Sequence, residues 1–121
     1  MNRNKLFIDI NKSMVDLFGN KLRKIILYGS YAQNAQNKDS DIDFFVLVDD
    51  TEENLRNSKY QIADIMTQLS LNYDILVSIT EETYNRYKEY SEFLPFYKNI
   101  SKEGLEIYGK QTAWFIKISN G

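Results

Sequence analysis

Gly29-Ser30-Tyr31-Ala32-Gln33-Asn34-Ala35-Gln36-Asn37-Lys38-Asp39-Ser40-Asp41-Ile42-Asp43 is the stretch that decides the fold. It follows Lys24-Ile25-Ile26-Leu27-Tyr28, a short apolar run rich in β-formers, which the glycine-serine pair breaks as a strand entering a tight loop. Gly29 accepts backbone angles that other residues resist, and its missing side chain lets main-chain N–H groups come close to an anion. Ser30 adds a hydroxyl. Tyr31–Gln36 is expected to form a short helix, whose free N–H groups and positive dipole end would favour a phosphate.

The same stretch ends on the next strand, expected over Asp41–Val48. Side chains alternate along a strand, so Asp41 and Asp43 share one face, about 6.6 Å apart at ~3.3 Å per residue, while Ile42 turns to the core. Two carboxylates on one face attract a cation. The chain has no His and no Cys, so hard oxygen ligands for Mg²⁺ or Mn²⁺ fit better than a zinc site, and carboxylates can bridge two such ions about 3.5–4 Å apart.

Moving outward, Phe7, Ile10, Met14 and Leu17 recur at helical spacing, and Gly19 supplies the stop. On the other side, Asp49-Asp50-Thr51 offers a cap for a helix running to Leu69, with Leu55, Ile62, Ile65, Met66 and Leu69 as its buried face. Asn72 then turns the chain into a third expected strand, Tyr73–Ile79. Asp74, near its start, is a charge among apolar residues that only a metal or water would satisfy cheaply. Ser78-Ile79-Thr80-Glu81 carries cap signals for the aromatic stretch with Tyr84, Tyr87, Tyr90, Phe93, Phe96 and Tyr97. Those rings have no basic companion patch, so they read as core or partner interface rather than a base-stacking surface. Pro95 divides that stretch into two short helices, the second ending near Gly104.

The resulting order, α-β-α-β-α-β-α, predicts an α/β (α+β) domain with a small mixed sheet covered by helices. One domain over 1–121 is expected, its motif-bearing core at about 22–108. The tail, 109–121, contains the apolar run Ala113–Ile118, an expected edge strand or interface.

Composition sets the outer limits. With 121 residues the chain fits one core, and 15 Lys+Arg against 17 Asp+Glu give a net charge of -2, which argues against broad binding to nucleic acid or an anionic membrane. The absence of Cys and His removes disulfides, thiolate nucleophiles and the imidazole base, leaving carboxylates, hydroxyls and metals. No apolar run approaches the ~20 residues of a membrane span, and the N-terminal segment lacks a signal-peptide core, so a cytoplasmic location is expected.

Taken singly, a glycine-serine pair is an ordinary turn and Asp-x-Asp an ordinary strand end. In this order they become informative: Gly29-Ser30, ten intervening residues, Asp41-x-Asp43 and a later aspartate resemble the polymerase-β-type nucleotidyltransferase superfamily. Between about Lys24 and Tyr108 the chain is most similar to the minimal nucleotidyltransferase (MNT) antitoxins that accompany HEPN-type ribonuclease toxins, and Lys102-Glu103-Gly104-Leu105-Glu106-Ile107-Tyr108 resembles their usual end. The resemblance implies Mg²⁺-dependent transfer of AMP from ATP to a tyrosine hydroxyl of the toxin, in a hetero-oligomer with it. It implies nucleotide binding by Gly29, Ser30 and Ser40, and metal binding and catalysis by Asp41, Asp43 and Asp74 with two ions.

Where family members often continue Gly-Ser-Tyr-Ala with Arg-Gly, this chain has Gln33-Asn34, which removes a cation beside the phosphates; Lys38, Lys21, Arg23 or Lys24 would have to replace it. Two other classes stay open: an antitoxin acting by contact alone, and a small-molecule enzyme of the aminoglycoside type. The latter usually adds a helical domain, for which nothing after Tyr108 is long enough.

Overall fold

In a computed structural model that describes residues 1–109, the sheet has four strands in the order β3-β2-β1-β4. The chain runs α1 (Arg3–Phe18), a 3₁₀ turn (Gly19–Lys21), β1 (Leu22–Tyr28), β2 (Ile42–Val48), α2 (Glu52–Asn57), α3 (Lys59–Tyr73), β3 (Val77–Thr83), α4 (Tyr84–Tyr90), α5 (Pro95–Glu103) and β4 (Leu105–Tyr108). β1 is antiparallel to β2 and to β4, and β2 is parallel to β3. The sheet is therefore mixed, as the sequence pattern predicts.

Strand alternation divides the core in two. Ile25 and Leu27 of β1, Ile42, Phe44, Val46 and Val48 of β2, and Val77 and Ile79 of β3 pack with Leu6, Ile10 and Met14 of α1 and with Leu55, Ile62 and Leu69 of α2 and α3. On the other face Ile26, Phe45 and Leu47 pack with Tyr97 and Ile100 of α5, flanked by Tyr28, Tyr84, Tyr87, Tyr90 and Leu94. With both faces covered, β2 is buried at nearly every position, which explains the continuous apolar run after Asp43.

The stops and caps follow the local chemistry. Gly19 ends α1 at φ 59, where a glycine carries no Cβ penalty. Thr51 caps α2 by accepting from the Asn54 N–H at 3.1 Å, and Pro95 opens α5 at a position whose N–H has no helical partner.

Four expectations are corrected. Tyr31–Gln36 is not a helix: residues 30–34 form consecutive turns, so the loop has no helix dipole of its own. The helix expected through Leu69 is two, broken at Ser58. The third strand starts at Val77 and runs to Thr83, later than Tyr73–Ile79 at both ends, and the cap of the next helix is Thr83 rather than a residue of Ser78–Glu81. β4 adds an edge strand from Leu105–Tyr108. The tail run Ala113–Ile118 lies outside the described residues. Among the described residues no helix is long and apolar enough to cross a membrane.

Candidate active site

The expected pair assembles where β1 ends and β2 begins. Tyr28, the last residue of β1, lies opposite Asp43, and Gly29 follows at φ 76. A Cβ built on Gly29 would stand 2.7 Å from the Asp43 carboxylate oxygen Oδ2. The glycine is therefore required twice, by its backbone angle and by the room it leaves for the carboxylate. Asp41 immediately precedes β2 and is exposed, whereas Asp43 is half-buried on the strand. Burial pushes the Asp43 carboxyl above its ordinary range, and the like charge of Asp41 adds to the rise. Two anions held together with one partly desolvated favour a cation between them. Their carboxylate oxygens are hard donors of the kind that Mg²⁺ or Mn²⁺ takes.

The loop from Gly29 is a nest of turns. The Ala32 and Gln33 N–H groups both return to the Gly29 carbonyl, at 3.1 and 3.3 Å, and the Ala35 N–H reaches the Ser30 carbonyl at 2.8 Å. Asn34 takes φ 55, the left-handed region, one that asparagine tolerates better than most residues. Two contacts absent from the sequence reading hold the loop. The Arg3 guanidinium, reaching from α1, donates to the Tyr31 carbonyl at 3.3 Å and lies over the Tyr31 ring. The Gln33 amide donates to Glu103 at 2.7 Å, fastening the loop to the end of α5. Ser40 serves the loop itself: its hydroxyl accepts from the Asn37 N–H at 2.9 Å and its own N–H donates to the Asn37 carbonyl.

Asp74 does not join the pair. It is the exposed C-cap of α3, with φ 51 and ψ 44, and β3 begins three residues later. The physical reason is local: the helix continues through Tyr73, so Asp74 takes the left-handed capping conformation instead of entering the strand. Among the described residues no three Asp or Glu side chains gather into a group able to hold a metal. In the parallel register the strand neighbour of Asp43 is Ser78, a position the sequence pattern could not identify without the register.

The cations considered as replacements at Gln33 divide clearly. Lys21, Arg23 and Lys24 sit at the far end of β1 and pair with Asp50, Asp49 and Glu106, respectively, at 3.2–3.5 Å. Lys38 alone belongs to the loop itself, where it is exposed.

This fold and site define a nucleotidyltransferase. The family model for the nucleotidyltransferase domain matches residues 8–108, and the chain belongs to that family. A candidate protein adenylyltransferase of Methanocaldococcus jannaschii is 27% identical over 111 residues, covering 89% of this chain and all of that one. A second from the same organism is 36% identical over 70 residues, covering 58% of this chain and 69% of its own.

Among solved structures, a toxin–antitoxin complex with AMP-PNP aligns with TM-score 0.58 at 22% identity, covering 94% of this chain and 86% of that one. A complex of tri-AMPylated Shewanella oneidensis HEPN toxin with MNT antitoxin aligns at 0.54 and 21%, covering 93% and 77%. A Sulfolobus solfataricus protein described as a nucleotidyltransferase aligns at 0.59 and 14%, covering 88% and 80%. At these identities the structures establish the shared fold of the minimal nucleotidyltransferases.

Proposed function

We propose that this chain is a protein adenylyltransferase of the MNT-antitoxin type, transferring AMP from ATP to a tyrosine hydroxyl of a HEPN-type toxin with which it assembles. The observation that carries the proposal is the Asp41–Asp43 pair, with the Asp43 carboxylate closed against Gly29, in a family member similar to a candidate protein adenylyltransferase over 89% of its length. One structure of the same fold is a complex in which an MNT antitoxin accompanies a HEPN toxin already carrying AMP.

Asp41 and Asp43 would hold Mg²⁺, as two ions, and the metal would supply charge neutralisation at the triphosphate. The turn at Gly29-Ser30 would orient the phosphates through main-chain N–H groups: Ala32 and Gln33 are committed to the Gly29 carbonyl, so that task would fall to the N–H groups of Ser30 and Tyr31. The acceptor hydroxyl attacks the α-phosphorus in line, a new O–P bond forms, the bond to the β-phosphate breaks, and pyrophosphate leaves while the hydroxyl proton passes to solvent. Asp41 and Asp43 fix the geometry of that exchange. Asp74, at the end of α3, stands outside it.

The proposal is tested by incubating the purified chain with ATP, Mg²⁺ and its HEPN-type partner, followed by intact mass. The partner should gain one or more AMP units. An unmodified partner would instead favour antitoxin action by contact alone, a reading supported by the lack, among the described residues, of a group of three carboxylates able to hold a metal and by the engagement of Gln33 with Glu103.

A further inference from the structure

Tyr28 belongs to β1 and Thr80 to β3, with β2 between them, yet their hydroxyls share a hydrogen bond at 3.3 Å. Adjacent strands lie about 4.8 Å apart, so this contact requires the Tyr28 side chain to lie across β2. The register shows where it crosses. Tyr28 is opposite Asp43, while Thr80 is opposite Phe45, two residues further along the same face. The ring therefore separates the Asp43 carboxylate from Phe45, against which it stands edge-on at 6.4 Å, and it meets Phe96 edge-on at 5.5 Å. On its other side the Asp43 carboxylate has the Cβ-free slot of Gly29. The Asp43 charge also contributes to the upward shift of the Tyr28 hydroxyl, behind the larger effect of burial, which agrees with their closeness.

We infer that Tyr28, strapped to Thr80 across β2, is a positioning residue that holds the Asp43 carboxylate in its metal-binding orientation and keeps it apart from the aromatic core. The inference rests on the adenylyltransferase reading of the site but concerns this chain's own residues. A half-buried carboxylate with free rotamers would spend part of its time turned from the cation or toward the other carboxylate. A wall fixed at both ends removes those alternatives, and outer partners that orient a metal ligand typically change metal affinity or activity by 10–100-fold when lost. Thr80 acts only through Tyr28; Ser78, beside Asp43 in the register, is left free of the strap.

The test uses Tyr28→Phe, Thr80→Val and the double variant in the full chain. Each keeps the shape of its side chain and removes the hydroxyl contact. Mn²⁺ is the probe, its binding followed by the electron paramagnetic resonance signal of the free ion, with AMP transfer measured alongside. Each single variant should weaken Mn²⁺ binding about 10-fold, with melting temperatures close to the parent, and the double variant should be no worse than either single one. Parental Mn²⁺ affinity in both single variants overturns the strap, as do losses that simply multiply in the double variant. Because Mn²⁺ binding is read without the partner protein, the inference can fail while AMP transfer stands. Failure of AMP transfer in the parent likewise leaves the strap to be decided by Mn²⁺.

Discussion

The two ends of the sheet are built on opposite electrostatic rules. At the end away from the loop, charges meet their complements: Lys21 with Asp50, Arg23 with Asp49, Lys24 with Glu106 and Arg86 with Glu82. Asp50 there is held below its ordinary carboxyl range by the Asn54 amide, then the Thr51 N–H, and also by Lys21. At the loop end Asp41, just before β2, adds its like charge to the burial of Asp43, and the Asp43 carboxyl is pushed the other way. One end suits a stable fold and the other suits a ligand that the protein alone does not supply. The difference teaches where to look for function: at the place where the chain keeps charges it would be more stable without.

The largest effect that tests this contrast is on catalysis. Asp41→Asn should reduce AMP transfer at least ~10²-fold, comparable to deleting one preorganised electrostatic contact, and should leave the fold intact because Asp41 is exposed. Steady-state transfer with a melting curve on the same protein checks both halves. A transfer rate within a factor of a few of the parent would remove Asp41 from the site.

The second effect concerns the loop. Because Gln33 donates to Glu103, an arginine placed at position 33 would meet that carboxylate first. Gln33→Arg alone should therefore leave the KM for ATP near the parent value. Gln33→Arg with Glu103→Gln should lower it about 10-fold, since a charge-assisted contact to phosphate contributes roughly 1.5–3 kcal/mol. A fall in KM with the single substitution would show that the arginine reaches the phosphates past Glu103.

The third effect is on stability and its pH dependence. Thr51→Ala removes the α2 cap and should cost ~1 kcal/mol in denaturant unfolding. The two aspartates predict opposite trends. Asp43, with its folded pKa raised, weighs against folding at neutral pH, and that burden lifts as pH falls through its folded value. Asp50, with its folded pKa lowered, supports folding above the ordinary Asp value and loses that support as pH falls through its folded value. Stability should thus rise slightly on mild acidification and fall below about pH 4. Asp43→Asn should abolish the rise without touching the fall.

The smallest effect concerns Asp74. Its left-handed backbone predicts that Asp74→Gly stabilises the protein by up to ~1 kcal/mol, and its place at the helix end predicts transfer within about twofold of the parent. A large loss of transfer would return Asp74 to the catalytic group.

Much of this was legible in the sequence because it was periodic or punctuated. The apolar runs of β1 and β2, the Gly19 stop, the Thr51 cap and the Pro95 start each announce themselves locally, and the Gly29 to Asp43 spacing carried the family resemblance. What stayed hidden depends on partners distant in the chain. Asp74 looks like a strand residue until the length of α3 places it in a cap. β4 is too short to show alternation and is defined by its antiparallel pairing with β1. Arg3, Tyr28, Thr80 and Glu103 gain meaning only from contacts across the fold. Phe93, one of the rings that read as core or partner interface, is 73% exposed, and only the fold separates it from the buried Tyr97 of the same stretch.

The most direct test of the central claim is to measure AMP transfer and thermal unfolding on one preparation of Asp43→Asn beside the parent. An amide at this position removes both the half-buried charge and its repulsion with Asp41, so transfer should be lost by at least ~10²-fold and the melting temperature should be at or above that of the parent. Retained transfer, or a folded protein markedly less stable than the parent, would contradict a carboxylate kept for function at the expense of the fold.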